Sequence, residues 1–193
     1  MTNKDIWNGL KNKKIPFKIK DFIWKLIHNH HKVGNWFKRI PSWQDKAICE
    51  YGKTETIDHI LTEYKLNRSE DIWQEAVEMW KKNNKNFQWI KPNVKILRGL
   101  GAIKLREKEK LAPEWLNERY IEIVTETTWL IWNIRNKRIF EEIKLTKEEV
   151  TKKWRETMNN KLETEKTIIK IEDKIKKRVE MQKNFDKNGK RQN

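Results

Sequence analysis

Residues 113–142 read PEWLNERYIEIVTETTWLIWNIRNKRIFEE, and this stretch decides the fold class. Pro113 and Glu114 open a helix, because proline fits the first turn and an acid favours the positive end of the helix dipole. Leu116, Tyr120, Ile123, Leu130, Ile131 and Ile134 recur at helical spacing along one side, which predicts a helix to about Glu142. Trp129 and Trp132 widen that stripe. Downstream, Thr146-Lys147-Glu148-Glu149 has the form of a capping box, with Thr146 as N-cap and Glu149 reaching back. A last helix is expected to follow, with Val150, Trp154, Met158 and Leu162 at four-residue steps. Ile168, Ile171, Ile175 and Val179 continue it, and its outer face mixes Lys with Glu. From about Lys183 the chain is polar and is expected to fray into disorder.

Upstream, the same periodicity predicts three more helices. Phe17 to His31 follows Pro16 and carries Phe22, Ile23, Leu26, Ile27 and His30 on one side. Val33-Gly34-Asn35 reads as its stop. Residues 37–53 look irregular, with a short β patch near Cys49. Glu55 to Tyr64 reads as a short helix with Ile57, Ile60 and Leu61 inside and Thr54 as N-cap. Ser69 reads as the cap of the next helix, where Ile72, Trp73, Ala76, Val77 and Trp80 form the apolar stripe. Residues 87–112 are ambiguous: Val94 to Leu97 could be a short strand, and Gly99-Leu100-Gly101 a turn. The fold class is therefore mainly α. It is a small helical domain with a short irregular or β knuckle region and a long amphipathic C-terminal helix.

Composition narrows the function classes. The 193 residues include 44 Lys or Arg against 28 Asp or Glu, a net charge of +16. Such a field attracts polyanions. Lys, Asn and Ile also have A/T-rich codons, so part of the charge can reflect codon bias. The 11 Trp run against that bias and read as an inherited core. The single cysteine, Cys49, excludes an intramolecular disulfide framework. Residues 1–14 are polar and lysine-rich, so no signal peptide is expected, and the apolar runs are far short of the ~20 residues that span a bilayer. A soluble intracellular protein is expected, with nucleus or cytoplasm left open.

Two segments carry a family resemblance. The first is residues 16–80, with the helix Pro16-Phe17-Lys18-Ile19-Lys20-Asp21-Phe22-Ile23-Trp24, then Cys49-Glu50-Tyr51-Gly52, then Glu55-Thr56-Ile57-Asp58-His59. The second is Trp129-Leu130-Ile131-Trp132-Asn133-Ile134-Arg135-Asn136. Together they resemble the reverse-transcriptase zinc-binding domain of LINE-type, non-LTR retroelements, in a fungal-like form. That family follows an F-x-W helix with C-x-x-C-G and E-T-x-x-H-x-x-x-x-C. The resemblance implies a zinc site of three Cys and one His. Cys49 matches its first ligand and His59 its histidine. The second cysteine would fall on Gly52, with the segment one residue short, and the fourth ligand position falls on Tyr64. Structural zinc takes four ligands in a tetrahedron. Two cannot hold it tightly, so no cofactor is expected, although His28, His30 or His31 could in principle complete a new site. Without zinc, Trp24, Trp73, Trp80, Trp129 and Trp132 would pack the domain, with Tyr64 filling the space of the metal. The plain alternative for His59 is a buried, hydrogen-bonded histidine, and for Cys49 a small buried hydrophobe.

No catalytic signature appears. Phosphate-binding, nucleophile-elbow and zinc-protease motifs are absent, as are the paired aspartates of a polymerase. Glu55 and Glu63 near His59 could be drawn as an acid/base pair, but a structural role suits them better. Binding chemistry remains. Residues 1–40 hold ten Lys or Arg against two Asp, a net of +8, interleaved with Trp7, Phe17, Trp24 and Trp36. Lysines neutralise phosphates, and exposed aromatics stack on unpaired bases. The candidate contacts are Lys11, Lys13, Lys14, Lys18, Lys20, Lys25, Lys32, Lys38 and Arg39. The organisation expected is a degenerate zinc-binding-like region over 1–112, a trailing helix packed on it over 113–143, and a basic amphipathic helix with its tail over 144–193. The function expected is a non-catalytic remnant of a retroelement reverse transcriptase polyprotein that binds RNA or DNA nonspecifically. The alternatives are a helical oligomerisation module, self-associating through the C-terminal helix, and a decayed copy with no function.

Overall fold

Short-range signals place most helix starts. The computed structural model describes residues 2–63, 68–84, 87–107 and 110–189. Helix α1 (Asn3–Gly9) opens with a capping box in which Thr2 and Asp5 bond each other's backbone. Helix α2 (Phe17–Ile27) starts directly after Pro16 and buries Ile19, Phe22, Ile23 and Leu26. It stops short of the expected His31. Asn29 takes a left-handed φ of 53°. The His30 amide then donates to the Lys25 carbonyl at 2.8 Å and the Asn29 amide to that of Leu26 at 3.4 Å. This is a Schellman closure with Asn in the position glycine usually takes. Val33-Gly34-Asn35 therefore lies beyond the stop, and the histidines leave the helix.

The stretch expected to be irregular is wound into two 3₁₀ helices, Gly34–Arg39 and Pro41–Ala47. A tight turn follows, closed by an antiparallel bridge between Ile48 and Thr54. This is the β patch expected near Cys49. Thr54 is thus not the N-cap of the next helical turn. Thr56 takes that role, its hydroxyl accepting from the His59 amide at 3.1 Å. The turn widens to π geometry over His59–Glu63. Tyr64 lies outside the described residues.

Helix α3 (Ser69–Asn83) has Ser69 as its first residue and the left-handed Arg68 before it, so the cap lies one position earlier than expected. Ile72, Trp73, Ala76 and Trp80 are buried along it. Helix α4 (Val94–Arg98) replaces the strand expected around Val94. The Asn93 side chain nucleates it by accepting from the Ile96 amide at 3.0 Å. The turn Leu100–Ala102 follows. Here Gly101 meets Gly9 backbone to backbone, and a Cβ on either would collide with the other strand of chain. A two-stranded hairpin, β1 (Arg106–Glu107) and β2 (Lys110–Leu111), completes the segment.

Helix α5 (Glu114–Phe140) is the centre of the core. Every residue from Tyr120 to Thr128 is buried, so the helix is enclosed all round rather than along one stripe. Bonds accommodate several of its polar residues: the Thr125 hydroxyl donates to the Glu122 carbonyl at 2.9 Å, and Arg119 pairs with Glu122 at 3.3 Å, whereas the buried Thr128 hydroxyl has no hydrogen-bond partner among the described residues. Trp80, Trp89 and Tyr120 form a tilted cluster with centroids 5.3–5.8 Å apart. The Trp80 indole donates to the Phe87 carbonyl at 2.7 Å, and the Tyr120 hydroxyl to that of Ile90 at 2.8 Å. Of the five tryptophans expected in the core, Trp73 and Trp80 are buried, whereas Trp129 and Trp132 are half-buried. Trp24 faces solvent.

Helix α6 (Lys147–Gly189) begins with the expected capping box. The Thr146 amide donates to Glu149 at 2.8 Å, and the Glu149 amide to the Thr146 hydroxyl at 3.2 Å. The chain divides into two units, Met1–Trp154 and Arg155–Asn193. The first two turns of α6 belong to the first unit. There Trp154 is buried and donates to the Thr127 hydroxyl at 2.9 Å. In the second unit Ile168, Ile171, Ile175 and Val179 are exposed. The helix passes Lys183, where fraying is expected, because no proline or glycine interrupts it before Gly189. Among the described residues no helix is long and apolar enough to cross a membrane.

Candidate nucleic-acid interface

The Schellman closure of α2 shapes the surface of interest. By ending the helix at Ile27 it turns His28 and His30 out beside Trp24. The His28 ring lies 4.2 Å from that of Trp24 and 5.7 Å from that of Trp7. His30 stacks on Trp24 at 5.9 Å and lies nearly parallel to His28, at 9° and 6.0 Å. His28 Nδ1 donates to the Trp24 carbonyl at 2.9 Å, which fixes its ring. Trp7 and Trp24 are 42% and 43% exposed, and Phe17 is 86% exposed. Four rings thus form a solvent-facing tier. The sequence reading places Trp24 in the core and His30 on the apolar side of the helix. Both lie on the surface, and of the three histidines after α2 the buried one is His31. Its Nε2 donates to the Phe22 carbonyl at 2.9 Å, and burial lowers its pKa to about 4, so it is neutral at pH 7.

The basic candidates divide into groups. Lys18 sits over the Trp129 ring at 5.4 Å and 3.9 Å from Glu126. Lys25 pairs with Asp21 at 2.7 Å. Lys32 covers Trp36 at 5.0 Å. Lys25 and Lys32 line a cavity of about 340 Å³ that also holds Trp129 and Trp132. Arg39 lines a larger cavity of about 800 Å³. Both cavities are lined by His30 and His31. Lys11, Lys13 and Lys14 precede α2 and line neither. Lys14 pairs with Glu118 at 3.3 Å. Lys20 is half-buried, and Lys38 donates to the Thr54 hydroxyl at 3.4 Å.

Between the cavities lies a feature that the sequence reading missed. The Glu55 carboxylate is fully buried. Oε2 accepts from Arg135 Nε at 3.1 Å and from Arg135 Nη2, while Oε1 accepts from Arg138 Nη2 at 2.8 Å. Burial lowers the Arg135 pKa, and the adjacent Glu55 opposes that shift. The guanidinium also lies 5.5 Å from Phe37 and 5.4 Å from Trp132. Glu55 opens the E-T-x-x-H segment and Arg135 belongs to the segment from Trp129 to Asn136, so this pair bonds the two motifs together. Gly34 presses on the same place. Its φ of 46° and the Glu55 carbonyl beneath it leave no room for a Cβ. A buried glutamate 80 residues before a buried arginine leaves no local signal. The presence of both in segments already singled out was the available hint.

Cys49 and His59, the two zinc-ligand candidates, are both buried. Cys49 is buried in the turn, its amide donating to the Lys53 carbonyl at 2.8 Å. Gly52, at φ 74°, supplies no ligand atom. His59 is buried and directs Nδ1 to Glu63 Oε2 at 3.1 Å. Among the described residues no three His, Cys, Asp or Glu side chains gather as metal ligands. Of the four donor positions that the resemblance implies, Cys49 and His59 are present, one is Gly52, and Tyr64 lies outside the described residues. No protein family, curated protein or solved structure matches the chain.

Proposed function

We propose that the chain is a non-catalytic nucleic-acid-binding module, a remnant of a retroelement reverse transcriptase polyprotein, that grips single strands without sequence preference. The observation that carries this reading is the exposed tier of Trp7, His28, Trp24 and His30, with Lys20 one helical turn before Trp24 on the same face of α2. Stacked rings accept any unpaired base, and flanking ammonium groups neutralise phosphates with release of counterions. Grouping of two exposed tryptophans with two exposed histidines in ring contact supports binding, because it offers contiguous stacking faces rather than one isolated surface ring. The origin in a retroelement rests on the sequence resemblance.

The test is fluorescence anisotropy of a labelled single-stranded RNA with the whole protein over a salt series. Sub-micromolar binding at physiological salt, with a slope reporting several phosphate contacts, supports the module. Binding that vanishes above low salt reduces the charge to a plain polyanion trap. A second reading is favoured by the exposed Ile168, Ile171, Ile175 and Val179. Their three- and four-residue steps suit a two-helix seam with a second copy. Sedimentation decides it: a strict monomer at high concentration removes that reading.

A further inference from the structure

The larger cavity contains groups that the stacking tier does not use. Its volume of about 800 Å³ lies within the range of small-ligand sites. Leu26 and Ile57 line it with apolar surface and Trp36 with an aromatic ring. Three cations also line it: Arg39, Lys95 and Arg98. Glu55 does not offset them, because both its oxygens are already taken by Arg135 and Arg138. Asp58 is the other acid of the lining.

Arg98 is the decisive group. Its Nη2 donates to Asn29 Oδ1 at 3.3 Å, a long bond. Its Nε is buried and has no hydrogen-bond partner among the described residues. Most buried donors in proteins are satisfied, so an orphaned guanidinium N–H at a cavity wall marks an acceptor still to come. A phosphate oxygen suits it, since the arginine fork matches phosphate geometry. The side-chain amide of Asn35, also in the lining, is a donor and acceptor of the kind that reads base edges.

We propose that this cavity is a subsite for one unpaired nucleotide, with its phosphate on Arg98, Arg39 and Lys95 and its base beside Trp36. The inference rests on the nucleic-acid-binding reading and deepens it. His30 belongs both to the stacking tier and to the cavity lining, so the tier and the cavity meet at this residue.

The test is isothermal titration of the whole protein with ribonucleoside 5′-monophosphates, with the nucleosides and inorganic phosphate as separate probes. The monophosphates should bind at least about tenfold tighter than either fragment, the scale of one hydrogen bond to a charged group. Arg98→Ala should weaken them by about tenfold, on the same scale. Lys95→Ala, at an exposed position, should weaken them too, and it keeps the test valid if the Arg98 variant unfolds. Lys110→Ala, exposed on β2 and outside the lining, should leave them unchanged. Absent binding at millimolar nucleotide, binding no tighter than inorganic phosphate, or indifference to Lys95→Ala overturns the subsite. Single-stranded RNA measured on the same samples separates the two readings. RNA binding without nucleotide binding refutes the cavity alone. Nucleotide binding without RNA binding refutes the module and leaves a site for a free mononucleotide.

Discussion

Replacing Glu55 with glutamine removes one charge and almost no volume from the centre of the first unit. The carboxylate is fully enclosed, and the Arg135 side chain that it holds is 1% exposed. Three charge-assisted bonds converge on the two carboxylate oxygens. The amide of glutamine retains one acceptor oxygen, and its NH2 group opposes a guanidinium donor. Arg135 is then left buried against a neutral partner, with Arg138 beside it as a like charge. Breaking a buried pair from one side costs about 3–5 kcal/mol. Total stability of a domain this size is about 5–15 kcal/mol, so Glu55→Gln should bring the protein near its unfolding threshold. Urea denaturation followed by tryptophan fluorescence measures the loss. A triple variant with Glu55, Arg135 and Arg138 all replaced by Met should regain most of it, because no buried charge remains to be compensated. A loss below about 1 kcal/mol for Glu55→Gln would refute the claim that a desolvated pair joins the two motifs.

Four further outcomes are expected. His31 is neutral in the fold, with its pKa lowered from 6.5 to about 4. The unfolded chain therefore takes up a proton first as pH falls, and stability should drop between pH 6.5 and 4, by about 3 kcal/mol at most. Denaturation of the wild type and His31→Gln at pH 7 and pH 4 isolates that share, and equal losses in the two would contradict it. Gly101→Ala should destabilise by about 1–3 kcal/mol, because its Cβ meets the Gly9 backbone; thermal unfolding checks this. Thr146→Ala should lower stability by about 1 kcal/mol through loss of the α6 cap, read by circular dichroism on heating. Trp24→Ala should cost single-strand binding about 1–3 kcal/mol per stacked base, with little change in melting temperature, because its ring is a surface group.

The elements read correctly from sequence are those with local signals. Pro16 and Pro113 mark the starts of α2 and α5, and the capping box of Thr146 and Glu149 lies within four residues. Most of the misreadings involve partners distant in sequence or backbone geometry. α2 ends early because Asn29 accepts a left-handed conformation, and apolar spacing is blind to that. Val94 to Leu97 looks like a strand by composition, yet Asn93 caps it as a helix. Apolar spacing predicts a one-sided stripe on α5, and Thr125, Glu126 and Thr127 lie outside it, yet a helix enclosed by others buries them. At the candidate site, the lysines were legible from composition. The ring tier was not, since it needs Trp7 from α1 beside the turn after α2. The partner of Glu55 lies 80 residues away and has no spacing rule to reveal it.

Stacking of unpaired bases on the tier can be measured by a competition at physiological salt. A labelled single-stranded RNA is displaced from the whole protein by unlabelled single strand or by duplex of equal phosphate count. The ring tier predicts that the single strand competes better, and that Trp24→Ala erases its advantage. Duplex competing equally or better, with Trp24→Ala without effect, would contradict the account and leave only the attraction of a basic surface for a polyanion.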